Sequence, residues 1–194
     1  MMQGHIDRYL DRLRAGIDGL PRDRLNQLGE ILFRAYRNDK QVFVIGNGGS
    51  SSTASHMAAD LAKNTIGPNM RRFRIVSLSE NAAIVTALAN DLGYENVFSE
   101  QLTSLVGAGD VLIAVSASGN SPNILNAMRH ARTRSAEVVG LFGFDGGQAL
   151  ALSDLAIVVP SSDYGVVEDI HLVINHILVD FFRDQLAADK PWTV

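Results

Sequence analysis

The sequence predicts an α/β protein, a three-layer, doubly wound, five-stranded parallel sheet preceded by an N-terminal helical extension. Short apolar runs rich in β-branched residues recur between Gln41 and Val159 and alternate with amphipathic stretches of helical spacing, the pattern of repeated strand–helix units. One of these runs, Val111-Leu112-Ile113-Ala114-Val115, has no polar interruption, as expected of a strand buried on both faces. The 194 residues, 46% of them apolar, fit a single domain with a sizeable core.

Ahead of the first strand, Ile6, Tyr9, Leu10, Leu13, Ile17 and Leu20 recur at helical spacing. Pro21 then opens a second stripe of Leu25, Leu28, Leu32 and Ala35. Residues 1–39 are therefore read as a helical hairpin. A sheet core does not need it, so its stripes pack either on a partner subunit or back on their own sheet. Use in oligomerisation is the expectation.

Gln41 to Ile45 forms the first strand, Gly46 to Ser52 a loop and Thr53 to Lys63 a helix. A glycine-rich loop feeding a helix N-terminus aims free N–H groups and the positive end of the helix dipole at one point, which suits an anion such as phosphate. Taken alone, the glycines equally describe a tight strand-to-helix turn. The loop lacks the Lys-Ser/Thr ending of a Walker loop and the third glycine of the dinucleotide fingerprint. It offers the hydroxyls of Ser50, Ser51, Ser52 and Thr53 instead, which donate to phosphate oxygens without adding charge. A small sugar or alcohol phosphate fits that chemistry.

Further along, Phe73 to Leu78 is a strand, Asn81 to Leu92 a helix ending at Gly93, and Asn96 to Val106 a further helical stretch. The turn Gly107-Ala108-Gly109-Asp110 leads into the Val111–Val115 strand, which ends in a second hydroxyl-rich loop, Ser116-Ala117-Ser118-Gly119-Asn120-Ser121. Ser121 reads as the N-cap of a helix to Arg132 with Pro122 at an early position; Ser116 and Ser118 have no such structural employment. Val138 to Phe142 and Leu155 to Val159 are the last strands, and Val166 to Ala187 the last helix. Two polar loops at the carboxyl ends of parallel strands mark where such a sheet binds its ligand.

A net charge of −4 argues against a general nucleic-acid or membrane-surface role. The cluster Arg71, Arg72 and Arg74 reads as a solvated strand edge, or as a screen for a phosphorylated ligand nearby. With no cysteine, there is no disulfide or thiolate chemistry, and any metal must bind through His and carboxylates. No apolar run is long enough to span a bilayer and the N-terminus is not signal-like, so a cytoplasmic protein is expected. His56 and Asp60, four residues apart, share a helix face, and Glu168, Leu172 and His176 lie along one stripe of the last helix. Two His and two carboxylates make a zinc set, since zinc accepts nitrogen and oxygen donors. His5, His130 and His171 read as structural.

In order along the chain, GNGGS, HMAAD, ALANDLGYE, SASGNS, the DGG of Asp145 to Gly147, and EDIHLVINHIL resemble the sugar isomerase (SIS) domain. Within it they resemble the phosphoheptose isomerase family, which converts sedoheptulose 7-phosphate to D-glycero-D-manno-heptose 7-phosphate. The resemblance covers nearly the whole chain. It implies that Asn47, Gly48, Gly49 and Ser50 line the substrate, that Ser116, Ala117, Ser118 and Ser121 cradle its phosphate, and that Asn90 and Asp91 contact it. It also implies that His56, Asp60, Glu168 and His176 hold zinc, with the acidic residue and the last His in proton transfer. Homotetramers with sites shared between subunits are implied as well, the last helix approaching the His56 and Asp60 face of a neighbour.

Two positions depart from the family, which has Glu at Asp60 and Gln at Glu168. Aspartate is one methylene shorter, and Glu168 adds a second carboxylate that can act as base or ligand. The chemistry expected is aldose–ketose isomerisation through an enediol, with Asp60 or Glu168 as base and His176 as acid. The alternative is a non-catalytic sugar-phosphate-binding or regulatory SIS protein of the DnaA-associating type, relatives that tend to lack the acidic residue or the last His.

Overall fold

A computed structural model describes residues 1–66 and 71–187 of the chain. Its helices are α1 (Met2–Asp18), α2 (Arg22–Arg37), α3 (Gly49–Lys63), α4 (Ala82–Leu92), α5 (Val97–Leu105), α6 (Pro122–Thr133) and α7 (Tyr164–Ala187). The strands are β1 (Val42–Gly46), β2 (Ile75–Ser77), β3 (Val111–Ser116), β4 (Glu137–Phe142) and β5 (Leu155–Val158). All pair in parallel, in the order β2-β1-β3-β4-β5. The predicted doubly wound sheet is therefore the observed one. Strand order reverses between β1 and β3, so the crevice over their carboxyl ends is the topological switch point.

Side chains alternate across a strand, and each face of the sheet builds its own core. Val42, Val44, Val111, Ile113 and Val115 pack with α2, α3 and α7. Phe43, Ile45, Leu112 and Ala114 pack with α5 and α6 on the other side. The third layer is thus complete within one chain.

Several boundaries differ from expectation for local reasons. α3 starts at Gly49, not Thr53, with Gly48 at its N-cap at φ 54°, a backbone that glycine adopts without strain. Ser50, Ser51 and Ser52 form its first turn, where N–H groups lack intrahelical acceptors anyway and the low helix propensity of serine matters little. A 3₁₀ turn at Tyr94–Asn96 precedes α5, and another at Gln148–Leu152 was not anticipated.

The N-terminal helices pack inward on separate partners, α1 along α7 and α2 across β5. Leu28 and Leu32 are fully buried, with Ile31, Phe33 and Ala35, in the core that the sheet shares with α7. A Cβ on Gly16 would stand 2.5 Å from Ile170 Cδ1, and Tyr9 donates its hydroxyl proton to Asp169 at 2.7 Å. Leu28, Leu32 and Ala35 of the second stripe pack on their own sheet, whereas on α1 Met2, Ile6, Leu10 and Ile17 are exposed and Tyr9 and Leu13 are only partly buried. The arginine cluster is a strand-edge feature: Arg71 donates to the Arg37 carbonyl and Arg74 to that of Asp39, both at 2.8 Å, closing the turn between α2 and β1.

His171 ties α7 to the sheet, as the structural reading expects. It is 0% exposed, its Nε2 lies 3.3 Å from the Phe142 carbonyl oxygen, and burial pushes its pKa down to about 4 although that hydrogen bond works the other way. The ring is therefore neutral in the folded protein, so Nε2–H donates. Unfolded, it takes up a proton near pH 6.5, and the stability tied to its neutrality is full above that pH and lost as pH falls toward 4. Urea titrations should show wild type losing about 3 kcal/mol more than a His171→Leu variant between pH 7 and pH 4. Equal losses would contradict the buried neutral imidazole.

Candidate active site

At the switch point, Asn47 follows β1 directly and makes a reciprocal amide pair with Asn123 of α6. Asn47 Nδ2 donates to Asn123 Oδ1 at 2.9 Å, and Asn123 Nδ2 donates to Asn47 Oδ1 at 2.8 Å. The Tyr94 hydroxyl donates to the same Asn47 oxygen at 2.9 Å. Asn123 is 2% exposed, so the pair locks the end of β1 to α6 from beneath the crevice.

The seryl loop lies beside it. The Ser116 oxygen accepts from the Gly119 N–H at 3.1 Å, so Ser116 shapes its loop, a structural role that sequence reading denied it. Ser121 occupies the N-cap of α6, yet its hydroxyl makes no capping bond among the described residues. Ala117 is buried, its carbonyl oxygen accepting from the Gly143 N–H at 2.9 Å. The DGG turn braces this loop from behind: a Cβ on Gly119 would stand 2.0 Å from the Gly146 carbonyl oxygen, and one on Gly147 2.4 Å from that of Ser118. These glycines serve close packing of two loops.

A second polar group forms where α3 crosses α7. His56 Nε2 lies 3.1 Å and His176 Nε2 3.7 Å from Asp60 Oδ2, with ring centroids 5.2 Å apart and an interplanar angle of 72°. Asn64 Nδ2 donates to Asp60 Oδ1 at 2.9 Å, and Asn175 Nδ2 to Oδ2 at 3.1 Å. His56, Asp60, Asn64 and His176 line a cleft of about 630 Å³ that Asp180 and Arg183 extend along α7. Convergence occurs within one chain, where sequence reading expected it between neighbours. The cause is the seam of Ala54, Met57 and Leu61 against Ile170, Ile174 and Leu178, which puts the two helices side by side.

One donor atom each from His56, Asp60 and His176 lies within 4.8 Å of the others, and the three can hold a metal ion. Two imidazole nitrogens and one carboxylate oxygen suit zinc, and three protein ligands leave the open position of a catalytic site. Glu168 is not in this group. It precedes His176 by eight residues, about 12 Å along the helix axis. Its carboxylate covers Gly49, where a Cβ would stand 2.4 Å from Oε2. That is the first turn of α3, whose orphan N–H groups and dipole favour negative charge. The chain's own carboxylate thus stands at this helix end.

Gly48 and Gly49 are exposed and Ser50 is buried in that same turn. Asn90 and Asp91 are exposed on α4, Asn90 Nδ2 donating to Asp91 Oδ1 at 2.8 Å, and neither bonds to the groups above among the described residues. Sequence reading missed Asn64, Asn123, Asn175 and Tyr94. Asn64 is four residues beyond Asp60, and that spacing could have found it. Asn175 interrupts the apolar stripe of Ile170, Ile174 and Leu178, a signal in itself.

Residues 8–143 match the sequence profile of the SIS domain family, and the chain belongs to that family. The phosphoheptose isomerase of Pelobacter propionicus is 41% identical over 190 residues, spanning 96% of this chain and 100% of that one. Solved structures of phosphoheptose isomerases from Neisseria gonorrhoeae and Francisella tularensis superpose with TM-scores of 0.85 and 0.86 at 29% and 25% identity. They cover 94% of this chain and 97% and 96% of their own. Within the SIS family the chain falls among the phosphoheptose isomerases, and it is a phosphosugar isomerase.

Asn123→Ala leaves the Asn47 amide without its buried partner. Urea denaturation should register a loss of about 2 kcal/mol. A loss under half a kilocalorie would mean that the amide pair does not lock the crevice.

Proposed function

We propose that the protein interconverts sedoheptulose 7-phosphate and D-glycero-D-manno-heptose 7-phosphate in the cytoplasm, through an enediol and with zinc. The observation that carries this is the convergence of His56, Asp60 and His176 on one cleft, in a chain whose relatives are named for that reaction. A carboxylate removes the proton alpha to the carbonyl, and His176, exposed beside it, moves a proton between the two sugar oxygens. Asp60 is the base where the reacting carbons meet the imidazole pair. Glu168 is the base where they lie across the first turn of α3. Zinc, when bound, would be held by His56, Asp60 and His176 and would supply a Lewis acid for the carbonyl oxygen. Ser116, Ser118, Ser121 and the backbone at Ala117 hold the phosphate, so that binding far from the reacting carbons fixes their position. The substrate is ionic and does not cross membranes unaided, and no described helix is long and apolar enough to span one.

Turnover of sedoheptulose 7-phosphate, with and without added zinc, tests the proposal. Asp60→Asn and His176→Ala should each lower kcat by about two orders of magnitude with smaller effects on KM. Glu168→Gln separates the bases: activity kept assigns the proton to Asp60, and activity lost assigns it to Glu168. If no variant is impaired, the isomerase reading fails. A protein that binds the sugar phosphate without turnover is the regulatory alternative, which the retained acid and imidazoles disfavour.

The active form is proposed to be a homotetramer with sites shared between subunits. Gly49 and Asp60 are eleven residues apart on α3, about 16 Å along its axis, so the crevice of one subunit and the cleft of another make the more compact site. Two apolar surfaces are open to assembly, α1 with Ile6, Leu10 and Ile17 exposed, and α4 with its flank. The second is the more exposed: none of the described residues of α4 is buried, and Ile84, Leu92 and Tyr94 are 40%, 50% and 53% exposed. Covering α4 in this way also brings Asn90 and Asp91 to a neighbour's site. Ile84→Glu combined with Leu92→Glu should yield a smaller species by light scattering, together with loss of turnover. A wild-type monomer, or a dissociated variant with full turnover, excludes the shared site.

A further inference from the structure

Asn175 sits in α7 between the buried Ile174 and the exposed His176, and is itself 0% exposed. Its Nδ2 faces Asp60 Oδ2 at 3.1 Å, and a carboxylate oxygen with that neighbour accepts, so the amide orientation follows from the chemistry. Oδ1 is thereby turned into the protein, where it is buried with no hydrogen-bond partner among the described residues. An unpaired buried acceptor costs stability, and a leucine of similar volume would fill the place without that cost. The amide weakens its own surroundings and gives its hydrogen bond to the carboxylate of the site.

Asp60 is tethered at both oxygens, by Asn64 at Oδ1 and by Asn175 at Oδ2. Asn64 alone, partly exposed and at the C-cap of the same helix, leaves the carboxylate plane free to turn about one bond. The tether from α7 stops that rotation, with Oδ2 held 3.1 Å and 3.7 Å from the imidazoles of His56 and His176. We infer that Asn175 is a positioning residue for the isomerase site, a buried amide that fixes the short Asp60 side chain in the one rotation presenting Oδ2 to both imidazoles. The inference rests on the reading of His56, Asp60 and His176 as the reacting groups.

The test is Asn175→Leu, alone and combined with Asp60→Ala. The single variant should melt at or above the wild-type temperature, while kcat for sedoheptulose 7-phosphate falls about 10- to 100-fold, KM stays within about threefold, and the dissociation constant for zinc rises about 10- to 100-fold. With Asp60→Ala present, Asn175→Leu should bring no further loss of turnover or zinc affinity, and should raise the melting temperature more than it does in wild type, because the amide then has nothing to bond. Wild-type kcat and zinc affinity in Asn175→Leu, or additive effects in the two backgrounds, would overturn the assignment. Asn175→Ser, too short to reach Asp60, gives the same kcat and zinc readings if the leucine variant does not fold. A wild-type protein without turnover defeats the isomerase reading alone; the melting-temperature cycle then still decides whether Asn175 holds Asp60.

Discussion

The contact between α3 and α7 is the constraint on which the site depends. Each buried Met, Leu or Ile side chain along that seam contributes about 1.5–3 kcal/mol, so Met57, Leu61, Ile170, Ile174 and Leu178 together supply on the order of 10 kcal/mol. Holding a carboxylate partly out of water costs several kcal/mol when it is poorly paired, and the Asp60 side chain is only 16% exposed. The apolar seam is the larger effect, and it fixes where Asp60 stands. The surrounding amides and imidazoles then decide which way its oxygens face.

The same helix serves two places. Its first turn, at the switch point beside the seryl loop, is covered by Glu168; its later turns carry His56 and Asp60. A short strand feeding a helix at its first possible residue, over a glycine at positive φ, is what sets the distance between them. β1 and β3, buried on both faces, hold the loops that flank the crevice, and the Asn47–Asn123 pair joins them.

The sheet was legible in the sequence because buried parallel strands and amphipathic helices have different periods, and the chain alternates between them without interruption. His56 and Asp60 were legible because four residues make one helical turn. Glu168 and His176 were also placed on one stripe, but a stripe fixes direction around a helix and not height along it, so their separation was missed. The outcome for Leu28 and Leu32 was not legible: an amphipathic face looks the same whether its partner is the chain's own sheet or another subunit. The bond of Ser116 is not legible because a hydroxyl accepting from a backbone N–H three residues on leaves no periodic trace. Asn175 is legible in principle, since an amide inside an apolar stripe needs a reason to be there.

The chemistry assigned to this arrangement moves a proton, and a proton held by a carboxylate exchanges with solvent. The most direct measurement is isomerisation in heavy water with the product read by NMR. The account predicts deuterium at the carbon that receives the proton, with incorporation and turnover both lost when the acting carboxylate is replaced by its amide. Full turnover with no deuterium in the product, kept when both Asp60 and Glu168 are replaced by their amides, would mean that hydrogen passes directly between the two carbons, and would contradict a carboxylate base.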